Sequence, residues 1–163
     1  MTSGFHHIAL VCRDMKETIK FYEHALGMRL RAVYPMHNVK GAKHAFLEAG
    51  AHGEISFVQF AEPVEGVPGV SFAAKNALPS PITTMHHMAY RVETLEQLYK
   101  IREQVKQAGA RPSKVIDHDF IHSFYFSDPN GFHLEVTCTT RPYSTEASLG
   151  FLSFLFVVWK QSN

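Results

Sequence analysis

Cysteine is scarce in this chain. There are two in 163 residues, Cys12 and Cys138, too few for a disulfide framework. They read as free thiols in a reducing compartment, so a cytoplasmic location is expected. Net charge is almost absent, at +1 with 19% charged residues. That balance removes the electrostatic basis for binding nucleic acid or an acidic membrane. The start, Met1-Thr2-Ser3-Gly4-Phe5, lacks a basic stretch followed by an apolar run, so no secretory signal is expected. A long hydrophobic run is also missing. Leu149 to Trp159 is apolar except for Gly150 and Ser153, but a membrane-crossing helix needs about 20 residues. This tail is expected to pack on the fold or on a second subunit, and a homodimer follows as the expectation. The chain does have material for a core: 45% of its residues are apolar and 13 are Phe. It also has 11 histidines.

An internal repeat organises the sequence. His6-His7-Ile8-Ala9-Leu10 returns eighty positions later as His86-His87-Met88-Ala89-Tyr90. Asp14 with Glu17 has the spacing of a helix capping box, and Thr94 with Gln97 repeats it at the same offset. Met15, Ile19, Tyr22 and Leu26 then share one helical face, ended by Gly27. Leu98, Ile101, Val105 and Ala108 do the same, ended by Gly109. Strand-like segments follow each helix: 29–34, 42–48 and 54–60 in the first half, and 113–116, 123–127 and 132–139 in the second. Ser127-Asp128-Pro129-Asn130-Gly131 supplies the turn chemistry before the last strand. Each half therefore reads β-α-β-β-β. The fold class is α+β, with module one at 5–61, a linker at 62–84 and module two at 85–140. The linker holds Pro63, Pro68, Pro79 and Pro81 and shows no period; connections this long often serve as lids. One half has too few residues to bury a core alone, so residues 1–140 are expected to fold as one domain. The tail is 141–163.

Strand parity sorts the histidines, because alternate side chains share a face. His6 joins Ile8 and Leu10, and His86 joins Met88 and Tyr90. His7 joins Ala9 and Val11, and His87 joins Ala89 and Arg91. His7 and His87 thus belong to rows with small or polar members, as a ligand-lined face requires. In the last strand Phe132, Leu134 and Val136 form an apolar row opposite His133, Glu135 and Thr137. A mid-strand carboxylate between two apolar neighbours is badly placed unless something binds it. Two imidazoles and one carboxylate suit a divalent first-row metal with open positions.

These strands, the helix Asp14-Met15 … Phe21-Tyr22 … Leu26-Gly27 and the Asp128-Pro129-Asn130-Gly131-Phe132-His133-Leu134-Glu135 segment resemble the vicinal oxygen chelate superfamily. That superfamily includes glyoxalase I, bleomycin- and fosfomycin-resistance proteins and extradiol dioxygenases. The resemblance covers about Phe5 to Thr140. It implies two tandem βαβββ modules forming an incomplete barrel around a metal held by His7, His87 and Glu135. By strand position it adds Gln59, where glyoxalases place a further ligand, commonly Glu. Glutamine brings no charge and is a poor base. For an extradiol dioxygenase the resemblance points to Tyr125, ten residues before Glu135, and to His118 upstream of it. The implied activity is that of a metal-dependent dioxygenase, with Fe(II) favoured, acting on a small molecule that chelates the metal through two adjacent oxygens. A glyoxalase-like lyase or isomerase using Zn or Ni is the alternative within the enzymes, and Mn is a further candidate metal. A metal-free drug-binding protein of the bleomycin-resistance type is the alternative outside them. Tyr34 and Phe72 are candidate substrate-facing residues.

Overall fold

The computed structural model describes residues 2, 4–51, 53–62 and 86–142. The tail from 143 onward, Phe72 and nearly all of the proline-bearing linker lie outside the described residues. The first half runs β1 (His7–Val11), α1 (Met15–Leu26), β2 (Leu30–Pro35), β3 (Lys43–Glu48) and β4 (Glu54–Gln59). The second runs β5 (Met88–Val92), α2 (Leu95–Gln107), β6 (Ile116–Asp117), β7 (Ile121–Ser127) and β8 (His133–Thr139). Each half forms one four-stranded mixed sheet. The orders are β1-β4-β3-β2 and β5-β8-β7-β6, with one parallel pair in each, β1 with β4 and β5 with β8. The two sheets do not close into a single barrel among the described residues. No helix among them is long and apolar enough to cross a membrane.

The helices start and stop where local chemistry dictates. The Asp14 carboxylate accepts the Glu17 N–H at 2.8 Å, and Thr94 and Gln97 close a full capping box. At the end of α1, Gly27 takes φ +67 and donates to Glu23 O, while Met28 donates to Tyr22 O. This is a paired C-terminal cap of the kind glycine allows. The strand expected at 113–116 is shorter than its sequence suggests. Ser113 Oγ, rather than a backbone carbonyl, accepts the Tyr125 N–H at 3.0 Å. Ser113 N still donates to Tyr125 O at 2.8 Å, but the side-chain bond interrupts the ladder, and the register pairs of β6 are Ile116 with Ser123 and Asp117 with His122.

The apolar rows of both sheets and the inner faces of both helices merge into one core. Leu10, Leu47, Ile55 and Phe57 come from the first sheet, and Phe124, Phe126, Leu134 and Val136 from the second. Helix α1 touches both: Tyr22 packs on Phe57 with ring centroids 4.8 Å apart, and Phe21 lies 6.3 Å from Phe126. The Asp128–Gly131 turn clasps the modules together. Asp128 is buried and accepts from the Phe132 and Asn130 amides and from Tyr22 Oη on α1. Asn130 in turn accepts from Arg13 N and donates to Thr18 Oγ1. Burial pushes the Asp128 carboxyl up, and these bonds oppose that shift. Asp128→Ala orphans several buried donors at once, so it should cost about 2–4 kcal/mol in urea unfolding. Tyr22→Phe removes one bond and should cost about 1 kcal/mol. Equal, small losses in both variants would contradict the clasp.

Candidate metal and substrate site

The alternation that fills the core leaves a second face on each sheet. On the second sheet this face carries His87, His133, Glu135 and Tyr125. Ala89 pairs with Glu135 across β5 and β8, and Tyr125 pairs with Glu135 across β7 and β8. Alanine at 89 leaves space above the strand. Glu135 is 3% exposed. Its Oε2 lies 2.8 Å from His87 Nε2, and its Oε1 is buried without a hydrogen-bond partner. Burial holds His87 below the ordinary histidine range, although the carboxylate opposes this. The neutral ring is the form that ligates metal. Tyr125 Oη lies 3.1 Å from His118 Nε2. Burial, then the charge of Glu135, raises the phenol, so it stays protonated near neutral pH. Four residues singled out in the sequence, His87, Glu135, Tyr125 and His118, therefore meet on one sheet.

His7 lies on the other sheet. It pairs with Glu54 and sits on the face opposite Leu10, Ile55 and Phe57, as parity requires. Its neighbours are His6, His44 and Phe46, with ring centroids at 5.1, 6.2 and 5.5 Å. Among the described residues no three His, Cys, Asp or Glu side chains stand close enough to hold a metal ion. One chain thus brings together His87 and Glu135 but not His7.

Gln59 has a different role from the one its strand position implied. It shares a row with Ile55 and Phe57, which face the core. Its Oε1 accepts the Met15 N–H at 2.7 Å, satisfying a free amide in the first turn of α1. It therefore sits on the face away from His7. The register gives the true counterpart of Glu135 in the first module. Ala9 pairs with Ser56 as Ala89 pairs with Glu135. Ser56 is fully buried, and its hydroxyl donates to Ile8 O at 3.3 Å. The uncharged serine was legible once the repeat was aligned on the alanines rather than on strand ends.

Two further residues had sequence signals that were not used. His133 shares the parity row of Glu135, and His44 shares that of Phe46 along β3. His133 is 2% exposed and stacks on Tyr125.

The sequence profile of the Glyoxalase/Bleomycin resistance protein/Dioxygenase superfamily matches residues 4–136. Among curated proteins, biphenyl-2,3-diol 1,2-dioxygenase 2 of Rhodococcus globerulus is 38% identical over 52 residues. That stretch is 32% of this chain and 27% of the relative, so the match spans only about a quarter of the relative's length. Among solved structures, a glyoxylase/bleomycin resistance protein/dioxygenase domain from Frankia sp. EAN1pec superposes with a TM-score of 0.67 at 19% identity, covering 85% of this chain and 99% of that one. The fosfomycin resistance protein FosX of Listeria monocytogenes, complexed with Mn(II) and sulfate, gives 0.61 at 18% identity, covering 86% and 95%. At such identities the likeness carries the fold.

Gln59→Ala should cost about 1 kcal/mol through the lost helix cap and leave metal stoichiometry unchanged. A variant that loses metal while staying folded would return Gln59 to the site.

Proposed function

The chain belongs to the Glyoxalase/Bleomycin resistance protein/Dioxygenase superfamily, and from that premise we propose that it is a metal-dependent enzyme of the extradiol dioxygenase type. Its substrate would be a small molecule presenting two adjacent oxygens. The observation that carries this reading is Glu135, a buried carboxylate with one oxygen on His87 and the other unpartnered. A carboxylate so placed favours a cation beside it. One carboxylate and two imidazoles fit a divalent first-row ion, and an iron site of this donor set keeps open positions.

The ligands are His87 and Glu135 of one chain with His7 of a second copy. Among the described residues β1 and β5 are each edge strands with one unpaired side, and such edges invite pairing. Ile8 and Val11 stay exposed along β1, at 40 and 41%, as does Phe5 just before it, at 79%. A homodimer joining β1 of one copy to β5 of the other would cover them and bring the third ligand.

When bound, the metal would supply Lewis acidity toward the two substrate oxygens and, as Fe(II), would bring dioxygen beside the diol, whose own electrons reduce it. The chain's own residues handle the protons. Tyr125, kept protonated by burial and by Glu135, donates a hydrogen bond to a substrate oxygen. His118, hydrogen-bonded to that phenol, accepts or returns the proton. The pair stands beside Glu135 rather than in the core, which favours a dioxygenase over a lyase. Ser56 supports the same choice, since a glyoxalase-like enzyme with a charged first-module ligand would lack it here. The short match to a biphenyl-diol dioxygenase agrees in chemistry.

The test is elemental analysis of protein purified anaerobically without chelator, beside Glu135→Gln and His87→Ala. About one Fe per chain, lost in both folded variants, with oxygen uptake on addition of a catechol, is the expected result. Zn or Ni without oxygen uptake would support the lyase reading. Ligand binding that persists in excess chelator would support a metal-free binding protein.

A further inference from the structure

His133 has no part in the chemistry above, yet it lies among the residues that do. It sits two positions before Glu135 on the same face of β8 and pairs across the sheet with Ser127. Its imidazole is 2% exposed. Its ring lies nearly parallel to the Tyr125 ring, at an interplanar angle of 14° with centroids 5.5 Å apart. It also meets His87 edge-on, at 81° and 6.2 Å. His87 in turn meets Tyr125 edge-on at 5.9 Å. The three rings form a closed triangle, and His118 holds the free end of the phenol. The Phe126 backbone also hydrogen-bonds the imidazole, which helps to hold the ring in place.

We propose that His133 is a positioning residue. Its ring forms the flat support that fixes the Tyr125 phenol in the one orientation from which it reaches both His118 and a ligand held near Glu135. A tyrosine side chain on a sheet face otherwise chooses among rotamers, and a phenol that samples several donates its hydrogen bond only part of the time. Stacking on a buried, edge-supported ring removes that freedom. This role rests on the reading of the site as one that binds an adjacent diol.

Two measurements on the full chain test it. The first needs neither metal nor ligand. In protein with isotope-labelled tyrosine, the Tyr125 ring resonances carry the ring-current shift of His133. That shift should collapse in His133→Ala and largely persist in His133→Phe, which keeps a flat ring. An unchanged Tyr125 spectrum in His133→Ala would overturn the proposal. The second is anaerobic absorbance titration of metal-loaded protein with 4-nitrocatechol. Loss of one hydrogen bond predicts about a tenfold weaker affinity in Tyr125→Phe. His133→Ala should lose about as much with its metal content intact, and His133→Phe should lose little. The double variant Tyr125→Phe/His133→Ala should be no weaker than either single one, because the second residue acts through the first. Additive losses, or His133→Phe as weak as His133→Ala, would overturn the role. The two failures read apart. Wild-type protein that loads metal but ignores 4-nitrocatechol removes the diol reading, whereas wild-type binding matched by His133→Ala removes only the role of His133.

Discussion

A carboxylate buried in the middle of a β-strand is stable only if something meets its charge, and Glu135 is that carboxylate. Its neighbours Leu134 and Val136 point into the core, so the strand cannot shift by one residue without turning the whole apolar row outward. The charge is therefore fixed in place by packing. His87 meets one oxygen; the other has no close hydrogen bond among the described residues, and the Tyr125 phenol, paired with Glu135 across the sheet, interacts with the carboxylate. The functional face of the second module is organised around this carboxylate: two flanking imidazoles, His87 and His133, and a protonated phenol backed by His118.

The same two-residue alternation separates stability from function throughout the chain. One face of each sheet joins the helices in a shared core, clasped by Asp128 and Asn130. The other face of each sheet is left for chemistry. Duplication of the module explains why His7 and His87 occupy matching places, and divergence explains why their surroundings differ. The first module keeps the histidine but has Ser56 where the second has Glu135. It surrounds His7 with His6, His44 and Phe46, where the second module sets a carboxylate and a phenol beside His87. One module thus sets His87 beside a buried carboxylate, and the other sets His7 against an aromatic wall.

Much of this was legible in the sequence because it depends on local periods. The eighty-residue repeat, the helix caps, the strand faces and the His87–Glu135–Tyr125–His118 grouping all follow from spacing together with the family resemblance. What failed did so for identifiable reasons. Gln59 was placed by strand position although its row, with Ile55 and Phe57, already pointed toward the core, and its amide oxygen meets the Met15 N–H there. The strand at 113–116 was shortened by a serine hydroxyl that competes with the backbone, which no period reveals. The separation of His7 from His87 and Glu135 is a matter of how two sheets pack on two helices, and no local pattern encodes it. The His133–Tyr125 stack likewise depends on β7–β8 register, although the shared row was visible.

In the proposed function the metal site is built from two copies of the chain. Mixing two inactive variants tests it most directly. His7→Ala and Glu135→Gln should each fold and fail to hold metal. Unfolded together and refolded, they should regain about a quarter of the wild-type metal sites, because half the dimers are mixed and each mixed dimer holds one intact site of two. Mixtures that fold and pair but recover no metal would contradict the account, as would a His7→Ala protein that loads metal fully by itself.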